Sequence, residues 1–130
     1  MDLPGLGNVA ELTARTRAAG VPVELTVTGT AEALPAEVDR AGYRVVQEAL
    51  TNVARHAGPA SAEVRLGYET ARLTIEVTDD GPRTADPVTP GVGLLGMRER
   101  VTGLGGTLDA GRRDEGGFAV RATFPLDGPA

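Results

Sequence analysis

The chain has 130 residues, with 18 carboxylates against 13 cations and a formal net charge of −5. That length fits one domain with a core of its own, and 41 % hydrophobic with 24 % charged residues reads as globular, not disordered. Cysteine is absent and all 13 cations are arginine, which excludes disulfides, thiolate zinc sites, a cysteine nucleophile, lysine Schiff-base chemistry and any phosphate loop that needs its lysine.

Val9 to Ala19 reads as a short helix, stopped by Gly20 with Pro22 close behind. From Val21 to Thr28, the apolar Val23, Leu25 and Val27 alternate with polar residues, the pattern of a half-buried strand. Pro35 to about His56 is the strongest helical pattern in the chain. Pro35 suits a first turn, Glu37 and Asp39 favour the positive end of the helix dipole, and Gly58-Pro59 ends the run. Ser61 to Tyr68 and Ala71 to Thr78 predict two strands around a turn at Glu69-Thr70. Asp79 to about Gly93 carries Gly81, Pro82, Pro87, Pro90, Gly91 and Gly93 and reads as a long loop, a class often used as a lid. Leu94 to about Leu104 is a further helix, with Leu94, Met97, Val101 and Leu104 inward. Thr107 to Ala110 and Phe118 to Leu126 then close a hairpin around Gly111 to Gly117. This order predicts one α/β (α+β) domain, a two-layer sandwich with helices on one face of a mixed or antiparallel sheet.

With only 3 % aromatics, the core must come from Val, Leu and Ala. The acidic balance argues against nucleic acid as a partner. No apolar run is long enough to span a bilayer, and no charged-then-apolar leader opens the chain, so neither a membrane contact nor a signal peptide is expected. With His56 as the single histidine, a multi-histidine metal site is not expected.

Three patterns carry chemistry. On the long helix, at about 100° per residue, Asn52 and Arg55 fall within about 40° of Glu48, and His56 sits at the edge of that column. Val46, Ala49, Leu50, Val53 and Ala57 lie on the opposite arc. Such a column suits either a solvated face or a metal-phosphate site, in which an amide oxygen binds Mg²⁺, a carboxylate orients a nucleophile and a guanidinium neutralises phosphate. Gly91-Val92-Gly93-Leu94-Leu95-Gly96 has the spacing of a dinucleotide fingerprint, but it follows a Pro-rich loop and not a buried strand. It reads either as a flexible loop or as bare backbone N–H groups facing phosphate at a helix start. Arg98 and Arg100 stand near it in sequence. Asp79-Asp80-Gly81 is either a turn or a fixed carboxylate able to accept a hydrogen bond from an exocyclic amine, which would make it an adenine reader.

In that order the three segments resemble the motifs of the GHKL ATPases. Gln47 to Ala57 looks like the N box, most of all that of sensor histidine kinases of the NarL-linked class. Val77 to Gly81 is similar to the G1 box, and Gly91 to Arg100 to the G2 box. Gly105-Gly106-Thr107-Leu108 and Gly116-Gly117-Phe118 resemble the closing strands, so that the similarity runs from about Val21 to Leu126. The resemblance implies the Bergerat ATP-binding fold, with ATP and Mg²⁺ as cofactors. It implies that Asn52 binds the Mg²⁺, that Glu48 is the polarising or general-base carboxylate, and that Arg55 and His56 lie near phosphate. Asp79 would read the adenine amine, with Gly81 giving the ring room. Gly91, Gly93, Leu94 and Gly96 would form the lid hinge and phosphate cradle, and Thr123 would approach the adenine side. Two positions depart from the pattern: Arg83 stands where the G1 box has its second glycine, and Phe118 where many relatives have threonine.

The expected activity is donation of the γ-phosphoryl group of Mg-ATP to a histidine on a separate helical phosphoacceptor domain of a two-component sensor kinase. A response regulator would then be engaged indirectly. The domain itself is expected to be monomeric and cytoplasmic, with residues 1–7 a linker remnant and 79–93 the lid region. Two other readings remain open at this level: an anti-sigma-factor serine kinase or binding regulator of the same superfamily, and an interaction module that has lost nucleotide.

Overall fold

Five strands make one sheet in the order β1-β2-β3-β5-β4. They are β1 (Val23–Thr28), β2 (Ala62–Tyr68), β3 (Arg72–Asp79), β4 (Thr107–Arg112) and β5 (Phe118–Pro125), joined by the helices α1 (Val9–Ala18), α2 (Ala36–His56) and α3 (Val92–Gly103). The computed structural model describes residues 4–30, 34–56, 60–81, 92–114 and 116–126. β1 and β2 run parallel and every other pair is antiparallel, so the sheet is mixed.

A parallel pair cannot be closed by a tight turn and needs a crossover. α2 is that crossover. It must return the chain from the end of β1 to the start of β2, so it runs against both strands. Its last turns therefore lie over the end of the sheet where Ala62, first in β2, pairs with Asp79, last in β3.

Strand alternation gives the sheet two unlike faces. Leu73, Ile75, Val77 and Asp79 of β3 are buried, as are Phe118, Val120, Ala122 and Phe124 of β5. The intervening Thr74, Glu76, Thr78 and Arg121 turn to the other face. There the register sets Arg65, Glu76, Arg121 and Asp109 side by side on four successive strands, with signs alternating, an arrangement that favours this register. The helices cover the apolar face: α1 packs on β1, α2 on β2, β3 and β5, and α3 on β4 and α2.

α2 presents Val38, Ala41, Val45, Val46, Ala49, Leu50 and Val53 to that face, at the three- and four-residue spacing of an amphipathic helix. Gly42 sits where it touches the sheet. A Cβ there would fall 2.9 Å from Ile75 Cδ1 and 3.1 Å from Leu6, so only glycine lets the helix approach this closely.

The chain differs from the sequence expectation at several ends. β3 runs on to Asp79 and β4 to Arg112, because β5 offers both a ladder partner. α3 starts at Val92, ahead of Leu94. Within the stretch expected as a linker remnant, Gly5 and Leu6 are buried. The Leu6 N–H donates to Asp39 Oδ1 at 2.9 Å, which docks this segment on the first turns of α2.

Ile75→Ala should cost about 2–5 kcal/mol, as truncation of a fully buried side chain does. Urea denaturation followed by circular dichroism measures it.

Candidate functional site

The site grows from the end of β3. Asp79 is only 3 % exposed. A buried carboxylate is costly unless its oxygens are hydrogen-bonded, and Asp79 Oδ1 accepts the Gly81 N–H at 3.0 Å. Gly81 is itself buried. Asp80 points the other way: its Oδ1 accepts the Ser61 N–H at 2.7 Å, and its own N–H donates to the Ser61 carbonyl at 3.2 Å. The pair Asp79-Asp80 is thus split, one carboxylate turned under the helices and the other pinning the strand end to β2.

On the far side of Asp79 lies β5. Phe118 is its ladder partner, buried on the same face. Gly117, at φ +89°, precedes it, and a Cβ at Gly117 would run into the Asp79 carbonyl oxygen. Arg113, from the turn between β4 and β5, donates from Nη1 to the same carbonyl at 3.2 Å. A cleft of about 490 Å³ opens at this end of the sheet, walled by Glu24, Glu63 and Thr78 of the open face together with Ser61, Asp80 and Arg113; the Asp79 carboxylate is turned to the other face.

α2 brings its own polar residues to the same end of the sheet. Glu48 and Asn52 are half-buried, and among the described residues neither side chain takes a hydrogen-bond or ion-pair partner. Arg55 is exposed. The column expected from the helical wheel therefore divides, because the buried arc of α2 reaches round to Ala41 and Val45, within about 60° of Glu48. Glu48 and Asn52 sit on the shoulder of the buried face and Arg55 on the outside. Polar groups left half-buried and unpartnered at a helix shoulder suit a ligand that would pair with them.

The other expected residues fall as follows. His56 closes α2, and its side chain lies outside the described residues. Gly93, Leu94 and Gly96 are helical residues of α3; the Leu94 side chain lies outside the described residues, as does Gly91 altogether. Thr123 is on the open face, paired with Thr74 and Thr107, because strand parity groups it with Arg121 and not with Phe118. The structure does not bring it together with Asp79. Arg98 donates from Nε to the Leu108 carbonyl at 3.2 Å, which ties α3 to β4. Phe118, Gly117 and Arg113 were not singled out by sequence reading as neighbours of Asp79. Only the pairing of β5 with β3 makes them so.

Among the described residues, no group of three or more His, Cys, Asp or Glu side chains is gathered to hold a metal. Magnesium, which keeps several waters and commonly relies on substrate phosphates and one or two protein donors, does not require such a group. Nor is any helix among the described residues long and apolar enough to cross a membrane.

Comparison with known proteins agrees with this fold. Residues 37–128 match the profile of a family described as histidine kinase-, DNA gyrase B- and HSP90-like ATPases. The sensor histidine kinase YxjM of Bacillus subtilis is 36 % identical over 108 residues, covering 82 % of this chain and 26 % of that protein. The histidine kinase domain of the blue-light activated histidine kinase of Erythrobacter litoralis EL346 superposes with a TM-score of 0.67 at 29 % identity, over 93 % of this chain and 59 % of that one. The catalytic domain of the histidine kinase ThkA shares the fold from end to end, with a TM-score of 0.68 at 15 % identity over 94 % of both chains. This chain spans about a quarter of the length of the curated relatives it matches.

Gly117→Ala should destabilise the protein by about 1–2 kcal/mol from the left-handed backbone alone, with the clash on the Asp79 carbonyl added to that. Urea titration of the variant against wild type measures the loss.

Proposed function

This chain belongs to the histidine kinase-, DNA gyrase B- and HSP90-like ATPase family, and from that membership we propose that it is the Mg-ATP-binding catalytic domain of a two-component sensor kinase of the NarL-linked class. The observation that carries the reading is the buried carboxylate of Asp79 at the end of β3. It lies at the same end of the sheet as Glu48 and Asn52 of α2, half-buried and, among the described residues, unpartnered.

In this reading Asp79 accepts a hydrogen bond from the adenine amine, and Gly81, with no side chain, leaves room for the ring. Phe118 lies next to Asp79 on the ladder and offers an apolar wall. Asn52 contributes its amide oxygen to Mg²⁺, a hard cation that prefers such donors. Arg55 and His56, in the last turn of α2, answer phosphate charge. The lid expected at residues 79–93 lies mostly outside the described residues, which place Asp79 at the end of β3 and Val92 and Gly93 in α3; Gly91, Gly93, Leu94 and Gly96 stand as hinge and phosphate cradle. Mg-ATP, when bound, supplies the γ-phosphoryl group and a divalent charge on the phosphate oxygens.

Glu48 stands as general base. It takes the proton from one ring nitrogen of an acceptor histidine as the other, unprotonated nitrogen bonds to phosphorus and ADP departs. Catalysis of this kind is mostly positioning and charge neutralisation. The acceptor is on a separate helical domain of the parent kinase, which then serves a response regulator. We place the domain in the cytoplasm as a monomer between encounters.

Calorimetric titration with Mg-ATP tests the site. Asp79→Asn should weaken binding about tenfold or more, the loss expected for a charge-assisted hydrogen bond. Unchanged affinity would remove the adenine assignment. Asn52→Ala should leave ATP binding without Mg²⁺ nearly as in wild type and abolish the gain on adding the metal. A full metal gain in that variant would reassign the ligand.

A further inference from the structure

We propose that the outer flank of α2 is a docking strip for a helix that carries carboxylates, and that this helix is the one that brings the acceptor histidine to Glu48. The identity of that occupant rests on the reading of Glu48 given above, whereas the strip itself rests on charge and geometry. It is made of Arg40, Arg44, Gln47 and Thr51, which that reading does not use.

At about 100° per residue, Arg40, Gln47 and Thr51 all fall within about 60° of Arg44, and Glu48 borders the row at about 40° on its other side. The row covers about 16 Å of helix. Arg44 and Gln47 are exposed, and Arg40 and Thr51 are half-buried. Beside its first half lies a cleft of about 310 Å³, lined by Pro4, by Arg40, Tyr43, Arg44 and Gln47 of α2 and by Arg100 of α3. Among the described residues no carboxylate lines it. The Tyr43 hydroxyl accepts a hydrogen bond from Arg15 Nη2 at 3.2 Å, which sets a fourth guanidinium next to these three.

Guanidiniums gathered side by side repel one another unless an anion answers them. α2 holds two carboxylates at spacings that pair on a helix: Glu37 stands three residues before Arg40, and Glu48 four after Arg44. Neither pair forms. Among the described residues Arg40, Arg44 and Arg100 take no hydrogen-bond or ion-pair partner. In a chain of net charge −5 this flank is a local excess of positive charge, open to a partner of the other sign. A small anion needs donors that converge on one point, whereas this row follows a line. Carboxylates at every fourth residue of a second helix are about 6 Å apart, the same step that separates Arg40 from Arg44. A helix laid along the row also passes Glu48, so a histidine on it meets the base while its carboxylates meet the arginines. Exposed charge pairs of this kind mainly speed encounter and fix orientation.

The probe is a fluorescein-labelled, alanine-rich helical peptide with glutamate at every fourth position, read by anisotropy beside a copy with glutamine in place of glutamate. Wild type should bind the glutamate peptide at least about tenfold more tightly at low salt, with the gap closing as salt screens the pairs. Arg40→Gln combined with Arg44→Gln should remove most of that gap and leave Mg-ATP affinity as in wild type. Arg65→Gln combined with Arg72→Gln makes the same change of net charge on β2 and β3, and should stay within about twofold of wild type. If both doubles lose the peptide alike, the attraction belongs to overall charge, which overturns the proposal. It is overturned equally if wild type does not tell glutamate from glutamine. Inorganic pyrophosphate is the third probe. If it binds in an Arg44-dependent way while the glutamate peptide does not bind, the strip takes a small anion and no helix. Should the α2 double not fold, Arg44→Gln alone, at an exposed position, decides with a loss of about threefold. Failure of wild type to bind Mg-ATP removes the function proposed above, and the acceptor helix as occupant with it. Lost peptide discrimination with Mg-ATP binding intact refutes the docking strip alone.

Discussion

A carboxylate under a layer of helices is tolerated only where the surrounding backbone supplies hydrogen bonds, since desolvating it otherwise costs several kcal/mol. Asp79 meets that condition as the terminal rung of β3. Ala62 flanks it on one side and Phe118 on the other, and Gly81 folds back to donate to it. Remove either neighbouring strand and the carboxylate would be open to water, free to rotate and of little use as a reader of one ligand group. The strand order, the glycine at position 117 and the bonds between Asp80 and Ser61 all serve this one corner.

The second constraint is topological. A parallel pair at one side of an otherwise antiparallel sheet forces a long crossover, and α2 runs the length of the apolar face because nothing shorter would rejoin the chain. Its direction is set by the two strands it connects. That direction places its C-terminal turns, with Glu48 and Asn52, over the same end of the sheet as Asp79. The helix thus does two things with one sequence. Val38 through Val53 bury an apolar stripe, while the residues on its shoulder stay polar and half-buried. Gly42 lets the two layers close.

Much of this was legible in the residues. Pro35 and Gly58-Pro59 bracket α2, and the alternation in β2, β3 and β5 marks each strand and its buried face. The predicted helices and strands all form, with ends shifted by a few residues where a ladder partner extends them. The relation of Thr123 to Asp79 was not legible in the same way. The family resemblance implied that both lie near one ligand, whereas the register puts Thr123 in the row with Thr74 and Thr107 on the open face. Arg98, near the glycine segment in sequence, bonds the Leu108 carbonyl and so ties α3 to β4, a contact that spacing does not show. The docking of Gly5 and Leu6 on Asp39 was equally invisible, since it joins segments more than 30 residues apart.

What the sequence determined by itself is what local physics encodes. It sets helix caps, strand periodicity, an apolar stripe with a polar shoulder, and a cation inventory made of arginine alone. The tertiary structure decided which of these local features become neighbours. Periodicity tells a strand which face to bury, but it does not say which other strand lies beside it. β5 inserts between β3 and β4, and that single choice of partner brings Phe118, Gly117 and Arg113 to Asp79. The choice depends on long-range burial across the whole sheet, and no short stretch of sequence contains it.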